Sequence, residues 1–170
     1  MESERLLIRP MRETDESAFA KGIGDRTLRV MYGFPSEMDE TVPPKIFRRF
    51  LGLPGARTMA EKDSGRMAGF LLDADPELPA ELAAGLPPKG RTLAFAVFLP
   101  YRRRGYMQKT LETYIPYLFR EGGADYIHCG HFPENRPSGK LLKKLGFQEY
   151  GSHTFNGRTI VDEILFRQNE

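Results

Sequence analysis

The stretch Leu93-Ala-Phe-Ala-Val-Phe-Leu-Pro-Tyr-Arg-Arg-Arg-Gly-Tyr-Met107 decides how this 170-residue chain is read. Alternation puts Leu93, Phe95, Val97 and Leu99 on one face of a strand and Ala94, Ala96 and Phe98 on the other. A strand apolar on both faces belongs inside a sheet. Past Pro100 the pattern turns helical, from Arg103 to about Arg120, with Met107, Leu111, Tyr114 and Leu118 three or four apart. Pro116 removes one backbone bond and clashes with the carbonyl of Glu112, a cost of roughly 3 kcal/mol, so a kink or an early end is expected there. Asp125 to Phe132 reads as a second strand. Strand, helix and strand in succession predict a parallel pair joined by a right-handed crossover.

Upstream, Leu6-Leu7-Ile8 is a short apolar run closed by Pro10, after which Thr14 and Asp15 can cap a helix carrying Ala18, Phe19 and Ile23. One or two further helices are expected between Gly22 and Gly55, the best of them from Lys45 to Leu53 with Ile46, Phe47, Phe50 and Leu51 on one side. Arg57 to Ala60 and Arg66 to Leu72 flank Lys62-Asp63-Ser64-Gly65, a composition suited to a hairpin loop. From Asp73 to Gly90, four prolines leave room for one short helix near Ala80 to Ala84, in a surface excursion that serves as a partner surface or a solvated loop.

Downstream, Asn135 can cap a helix with Pro137 in its first turn, Leu141, Leu142 and Leu145 facing inward, and Gly146 as a left-handed stop. Phe147 to Phe155 and Arg158 to Phe166 flank Asn156-Gly157, a strong hairpin signal. The expected class is α/β with a mixed sheet, in the order β-α-α-β-β-β-α-β-α-β-β, as one domain over residues 1–170.

The 25 Lys and Arg against 23 Asp and Glu give a formal net charge of +2, and 40% of residues are hydrophobic. That balance suits a folded core and argues against an extended basic face for nucleic acid. Cys129 is the only cysteine, so neither an intramolecular disulfide nor a Cys-based zinc site can form, and a reducing cytoplasm is the expected location. His128, His131 and His153 lack a helical i,i+4 pair, and no metal is expected. Leu93 to Leu99 is far short of the ~20 apolar residues that span a bilayer, so a soluble, unprocessed chain without membrane contact is expected. Neither a Walker loop nor the six-residue Rossmann glycine fingerprint occurs, which removes the main support for ATP or NAD.

Pro100 to Met107 lies where a buried strand passes into a helix. The first backbone N–H groups of a helix lack intrahelical partners, the helix dipole favours negative charge, and Arg102, Arg103 and Arg104 surround a glycine that lets a ligand approach. The arrangement suits a phosphate or pyrophosphate. Arginines decorating an exposed turn would read the same way from their side chains alone.

Arg102-x-x-Gly105-x-Met107 resembles the acetyl-CoA pyrophosphate loop of the GNAT acetyltransferase superfamily, Gln/Arg-x-x-Gly-x-Gly/Ala, with Met107 departing at the last, usually small, position. Glu134-Asn135-Arg-Pro-Ser138 followed by Leu145-Gly146-Phe147 is similar to a segment of its ribosomal-protein N-acetyltransferase (RimJ/RimL-like) branch. Glu4-Arg5-Leu-Leu-Ile-Arg9-Pro10 and Met31-Tyr-Gly-Phe34-Pro35 fit that branch as well.

The resemblance implies the GNAT acyl-CoA N-acyltransferase fold, in which the strand matching Leu93 to Leu99 splays from the one matching Asp125 to Phe132 and the pantetheine arm fills the wedge. It also implies acetyl transfer from acetyl-CoA to a primary amine, a protein N-terminal α-amine or a small molecule, in a ternary complex, by a monomer or homodimer. Arg102, Arg103, Arg104, Gly105, Tyr106 and Met107 would cradle the pyrophosphate, backbone N–H groups at Val97 and Phe98 would hold the thioester oxygen, and Asn135 would bond the pantetheine. Ser138 takes the place of the tyrosine that many relatives use as general acid, since that position is Leu142 here. Glu134 and His131 are the candidates nearest the expected centre for the base, the strand glutamate of many relatives being absent. Tyr32 and Phe34 fall in the segment that walls the acceptor site. Cys129 reads as a buried structural thiol. A catalytically inactive module that binds acyl-CoA as a sensor or scaffold is the alternative.

Overall fold

The computed structural model describes residues 1–168. Its elements are β1 (Leu6–Pro10), α1 (Glu16–Gly22), α2 (Arg26–Tyr32), α3 (Val42–Leu51), β2 (Ala56–Glu61), β3 (Met67–Ala74), α4 (Ala80–Ala83), β4 (Gly90–Val97), α5 (Tyr106–Arg120), β5 (Tyr126–His131), α6 (Arg136–Lys144), β6 (Gln148–Phe155) and β7 (Arg158–Phe166). The strands form one seven-stranded mixed sheet in the order β1-β2-β3-β4-β5-β7-β6. β4 is internal, as its stretch Leu93 to Val97, apolar on both faces, requires.

Three helices separate β1 from β2, the larger of the two counts expected and one more than the element order written for them. The additional one, α2, starts where the Asp25 carboxylate accepts the Thr27 N–H at 3.0 Å and stops at Gly33, whose φ of +90° is the left-handed stop favoured by glycine. The short α4 sits where the Pro-rich excursion leaves room for it.

The chain divides into two compact units, one of Met1–Leu72 with Phe95–Thr113 and one of Asp73–Ala94 with Tyr114–Glu170. In the first, β1, β2 and β3 are antiparallel, with a bulge in β2 between Met59 and Ala60. Pro10 is tolerated at the end of an edge strand, where no ladder N–H is lost from the middle of the sheet. The core beneath is aromatic: Phe19 stands 5.4 Å from both Phe47 and Phe50 and 5.5 Å from Phe70, centroid to centroid. Asp15 does not cap α1 with its side chain. Its carboxylate turns inward, where Arg9 binds both oxygens at 2.7 and 2.8 Å, the Thr58 hydroxyl donates at 2.7 Å and the Arg12 N–H at 3.0 Å. Four donors outweigh the single N–H that a cap would satisfy.

In the second unit, the start of β4 runs parallel to β5, Gly90 opposite Tyr126 through Thr92 opposite His128. β7 pairs antiparallel with β5 on one side and β6 on the other. The β6–β7 turn uses Asn156 at φ +49° and Gly157 at φ +75°, as the sequence there requires. The excursion is docked: Leu82 lies where a side chain at Gly151 would have to go, the Tyr150 hydroxyl abuts Gly85, and Arg91 grips Asp73 and Asp75.

Two expectations around the central segment change. β4 ends at Val97, and Leu99, 60% exposed, lies in a 3-10 turn made with Pro100 and Tyr101, so it is not on the buried strand. α5 begins at Tyr106 because Arg103 and Gly105 take left-handed φ values of +60° and +73°, which a helix cannot contain. α5 then continues through Pro116 to Arg120. Leu111, Tyr114, Ile115 and Leu118 are buried on both sides of the proline, and their burial outweighs one missing bond.

Candidate active site

The first unit carries the loop between β4 and α5. At Gly105 a left-handed residue turns the chain into α5, nothing lies within 4 Å of where its Cβ would be, and its carbonyl accepts the Lys109 N–H at 3.0 Å. α5 therefore starts as a fifteen-residue helix at Tyr106, and the first N–H groups of a helix point out of its end. Met107 is buried, so its larger side chain is accommodated inward and leaves this end of the helix open.

Of the three arginines, two have protein partners. Arg102 donates from Nη2 to Asp25 Oδ2 at 2.5 Å and from Nε to the Val97 carbonyl at 3.2 Å. Arg104 lies over the rings of Tyr101 and Tyr106 and reaches Glu61 at 3.4 Å. The Tyr106 hydroxyl donates to the same Glu61 at 2.7 Å, and this bond leads the influences that hold Glu61 below the usual carboxylate range. Arg103 is exposed. Arg102 and Arg104 are thus each engaged within the protein, and Arg103 faces solvent.

Val97 and Phe98 part company. The Phe98 N–H donates to the Ala68 carbonyl at 2.9 Å and its ring is buried against Phe70 and Gly22, so Phe98 has no N–H left for a thioester oxygen. Tyr32 and Phe34 stack with centroids 4.5 Å apart, and Phe50 and Phe70 complete the cluster. The Tyr32 hydroxyl is buried with no hydrogen-bond partner among the described residues, and desolvation pushes its pKa up.

The second unit brings together His131, Glu134, Asn135 and Ser138. Asn135 caps α6, accepting the Ser138 N–H at 3.4 Å, and Pro137 occupies the first turn. Glu134 is exposed and bound by Arg158 at 2.5 Å, and its own backbone N–H, then Arg158, pull its pKa down, which weakens it as a base. His131 faces acceptors on both ring nitrogens, the Phe132 carbonyl on Nδ1 at 3.0 Å and Glu163 on Nε2 at 2.8 Å. Its ring packs on Gly139, where a Cβ would come within 3.1 Å. Cys129 is buried and desolvation pushes its thiol up, as a structural thiol requires.

The family model described as an acetyltransferase (GNAT) domain matches residues 5–148. The chain belongs to the GNAT acetyltransferases. No curated protein matches the sequence. Among solved structures, a GNAT-family acetyltransferase from Bacillus anthracis superposes with a TM-score of 0.81 at 16% identity, over 97% of this chain and 96% of that one. The ribosomal-protein-S5-alanine acetyltransferase from Vibrio fischeri gives 0.74 at 15%, over 98% and 95%. The spermidine N-acetyltransferase from Vibrio cholerae, solved with CoA and spermine, gives 0.73 at 12%, over 96% of each chain. Identities this low establish likeness of fold.

As a GNAT acetyltransferase the chain has partners that its motifs do not reveal: Asp25 for Arg102, Glu61 for Arg104 and Tyr106, and Glu163 for His131. One signal was present. Asp162-Glu163 interrupts the apolar run Ile160-Val161-Ile164-Leu165 of β7, and carboxylates there must find buried donors. Asp162 bridges His128 Nε2 at 2.9 Å and His153 Nδ1 at 2.7 Å. Among the described residues no helix is long and apolar enough to cross a membrane, and no group of three or more His, Cys, Asp and Glu side chains could hold a metal ion.

Proposed function

We propose that residues 1–170 act as one catalytic domain that transfers the acetyl group of acetyl-CoA to a primary amine, in the manner of the RimJ/RimL-like branch. The observation that carries this reading is the left-handed turn at Arg103 and Gly105, which leaves the head of α5 open for a pyrophosphate. The branch is supported by Asn135 and Ser138 in the first turn of α6. The acceptor is a protein N-terminal α-amine or a small amine, in contact with Tyr32 and Phe34, and the protein works in the cytoplasm as a monomer or homodimer.

The amine nitrogen attacks the thioester carbonyl, the oxygen takes up negative charge beside the Val97 N–H, and collapse breaks the C–S bond and expels the CoA thiolate, which takes a proton from Ser138 as Ser138 regains one from water. Asn135 holds the pantetheine. The amine's own proton leaves through water towards Glu134 or His131, the first held by Arg158 and the second by Glu163. An α-amine near pKa 7.7 is roughly one-third neutral at pH 7.4, a lysine-like amine about 0.1%, and a site without a strong base favours the former.

The test is thermal unfolding with acetyl-CoA at about 100 times its Kd, with ATP and a short RNA as controls, followed by CoA-thiol release with a peptide bearing a free N-terminal alanine, with spermidine and with an aminoglycoside. Linkage gives about 2.7 kcal/mol, or roughly 5 to 10 °C. Absence of a shift sinks the cofactor reading, and a shift without turnover of any amine identifies an acyl-CoA-binding module instead.

A further inference from the structure

The Arg102 guanidinium sits at the start of the pyrophosphate loop, yet its bonds run away from the loop. Nε holds the Val97 carbonyl at the end of β4, and Nη2 holds Asp25 Oδ2 at 2.5 Å, with the carboxylate side chain 17% exposed. Asp25 is itself shared. Its other oxygen, Oδ1, accepts the Thr27 N–H and so caps α2.

α2 has seven residues, too few to stand as an isolated helix, so its position depends on the burial of Leu28 in the core and on anchors at its ends. Arg29 supplies one, donating to the carbonyls of Ile23, Gly24 and Ser36, all within the same α1–α2 region. Arg26 pairs with Glu37 on an exposed surface. Asp25 to Arg102 is the half-buried pair that fixes α2 to the cofactor loop. One and a half turns along, α2 ends on Tyr32, whose buried hydroxyl has no partner among the described residues, followed by Phe34.

We infer that Asp25 and Arg102 form a strut that places the acceptor wall, Tyr32 and Phe34, in register with the acetyl-CoA loop, and that Asp25 is a positioning residue for acceptor binding. This rests on the proposed acetyl transfer, with Tyr32 and Phe34 on the acceptor. Arg102 acts in it through geometry: two of its donors are spent on Asp25 and Val97, and the pyrophosphate is left to the backbone N–H groups of α5.

Two substitutions at Asp25 separate the strut from the cap. Asp25→Asn keeps an oxygen that caps α2 and removes the charge opposite Arg102, while Asp25→Glu keeps the charge and weakens the cap. Steady-state kinetics use acetyl-CoA and whichever of the N-terminal-alanine peptide, spermidine and aminoglycoside the wild type acetylates. Asp25→Asn is expected to raise the acceptor KM about tenfold, with the acetyl-CoA KM and the acetyl-CoA thermal shift held within about twofold of wild type, and Asp25→Glu to stay near wild type. If Asp25→Glu is the impaired variant, the carboxylate serves only as a cap and the strut is wrong. A rise in the acetyl-CoA KM in place of the acceptor KM, or no change in either with Asp25→Asn, overturns it equally. A wild type that shows neither acetyl-CoA binding nor turnover counts against the acetyltransferase reading itself, and is seen before any variant is made.

Discussion

Tyr32 holds a hydroxyl that gains nothing in the free protein, since it lies in a cluster of phenylalanine rings without a partner among the described residues. An unpaired buried hydroxyl costs roughly 1 to 3 kcal/mol, so Tyr32→Phe is expected to leave the melting temperature unchanged or to raise it. A tyrosine kept only for packing would give the same stability and the same kinetics, whereas one that bonds the acceptor will show a raised acceptor KM. Both are read from one variant. Ser138 is tested by kcat. As the proton donor to the thiolate, its loss is expected to lower kcat about 100-fold while acetyl-CoA still raises the melting temperature, and an unchanged kcat in Ser138→Ala removes the role.

Among the elements, α5 is where local preference and packing disagree most. Pro116 costs roughly 3 kcal/mol in a helix interior, and Pro116→Ala restores an N–H able to bond the Glu112 carbonyl while adding about 1 kcal/mol of unfolded-state freedom. A net gain of about 1 to 2 kcal/mol in urea unfolding is expected, and a loss would mean that the proline shapes the helix to its core. The strands, the parallel pair, the Asn135 cap and the Asn156-Gly157 turn were legible because each is written in neighbouring residues: alternation, a cap, a turn pair. α2 was not, because its start depends on a single aspartate and its stability on Arg29 and Arg102, contacts that no period announces. The site divided the same way. The loop at Gly105 could be read from its surroundings, but Phe98 lost its place as a donor to the Ala68 carbonyl across the sheet, and Glu163 met His131 through strand register, neither of which local pattern specifies.

For the molecule as a whole, two of the three buried carboxylates, Asp15 and Asp162, govern how it meets acid. Asp15 lies in the first unit and Asp162 in the second, both nearly inaccessible to solvent. Burial pushes each pKa up, but at Asp15 the bonds from Arg9, Thr58 and Arg12 outweigh it, and at Asp162 those from His128 and His153 do, so both end below the usual carboxylate range. A carboxylate whose pKa is lower folded than unfolded stabilises the fold fully above the unfolded value, about 3.9, and loses that contribution as pH falls through the folded value. Between those two pH values the unfolded chain binds the extra proton, so stability must rise with pH. Each group can add at most one proton to the difference, a slope of about 1.4 kcal/mol per pH unit. Urea unfolding from pH 6 to pH 2.5 is therefore expected to show stability falling steeply below about pH 4. Asp15→Asn and Asp162→Asn should each lower stability near neutrality, by about 3 to 5 kcal/mol where a buried charged partner is left alone, and each should flatten the acid limb by up to one proton. A variant that lowers stability without changing that slope would show that its carboxylate is already protonated in the folded protein, and the bonds assigned to it here would have to be redrawn with the acid as donor.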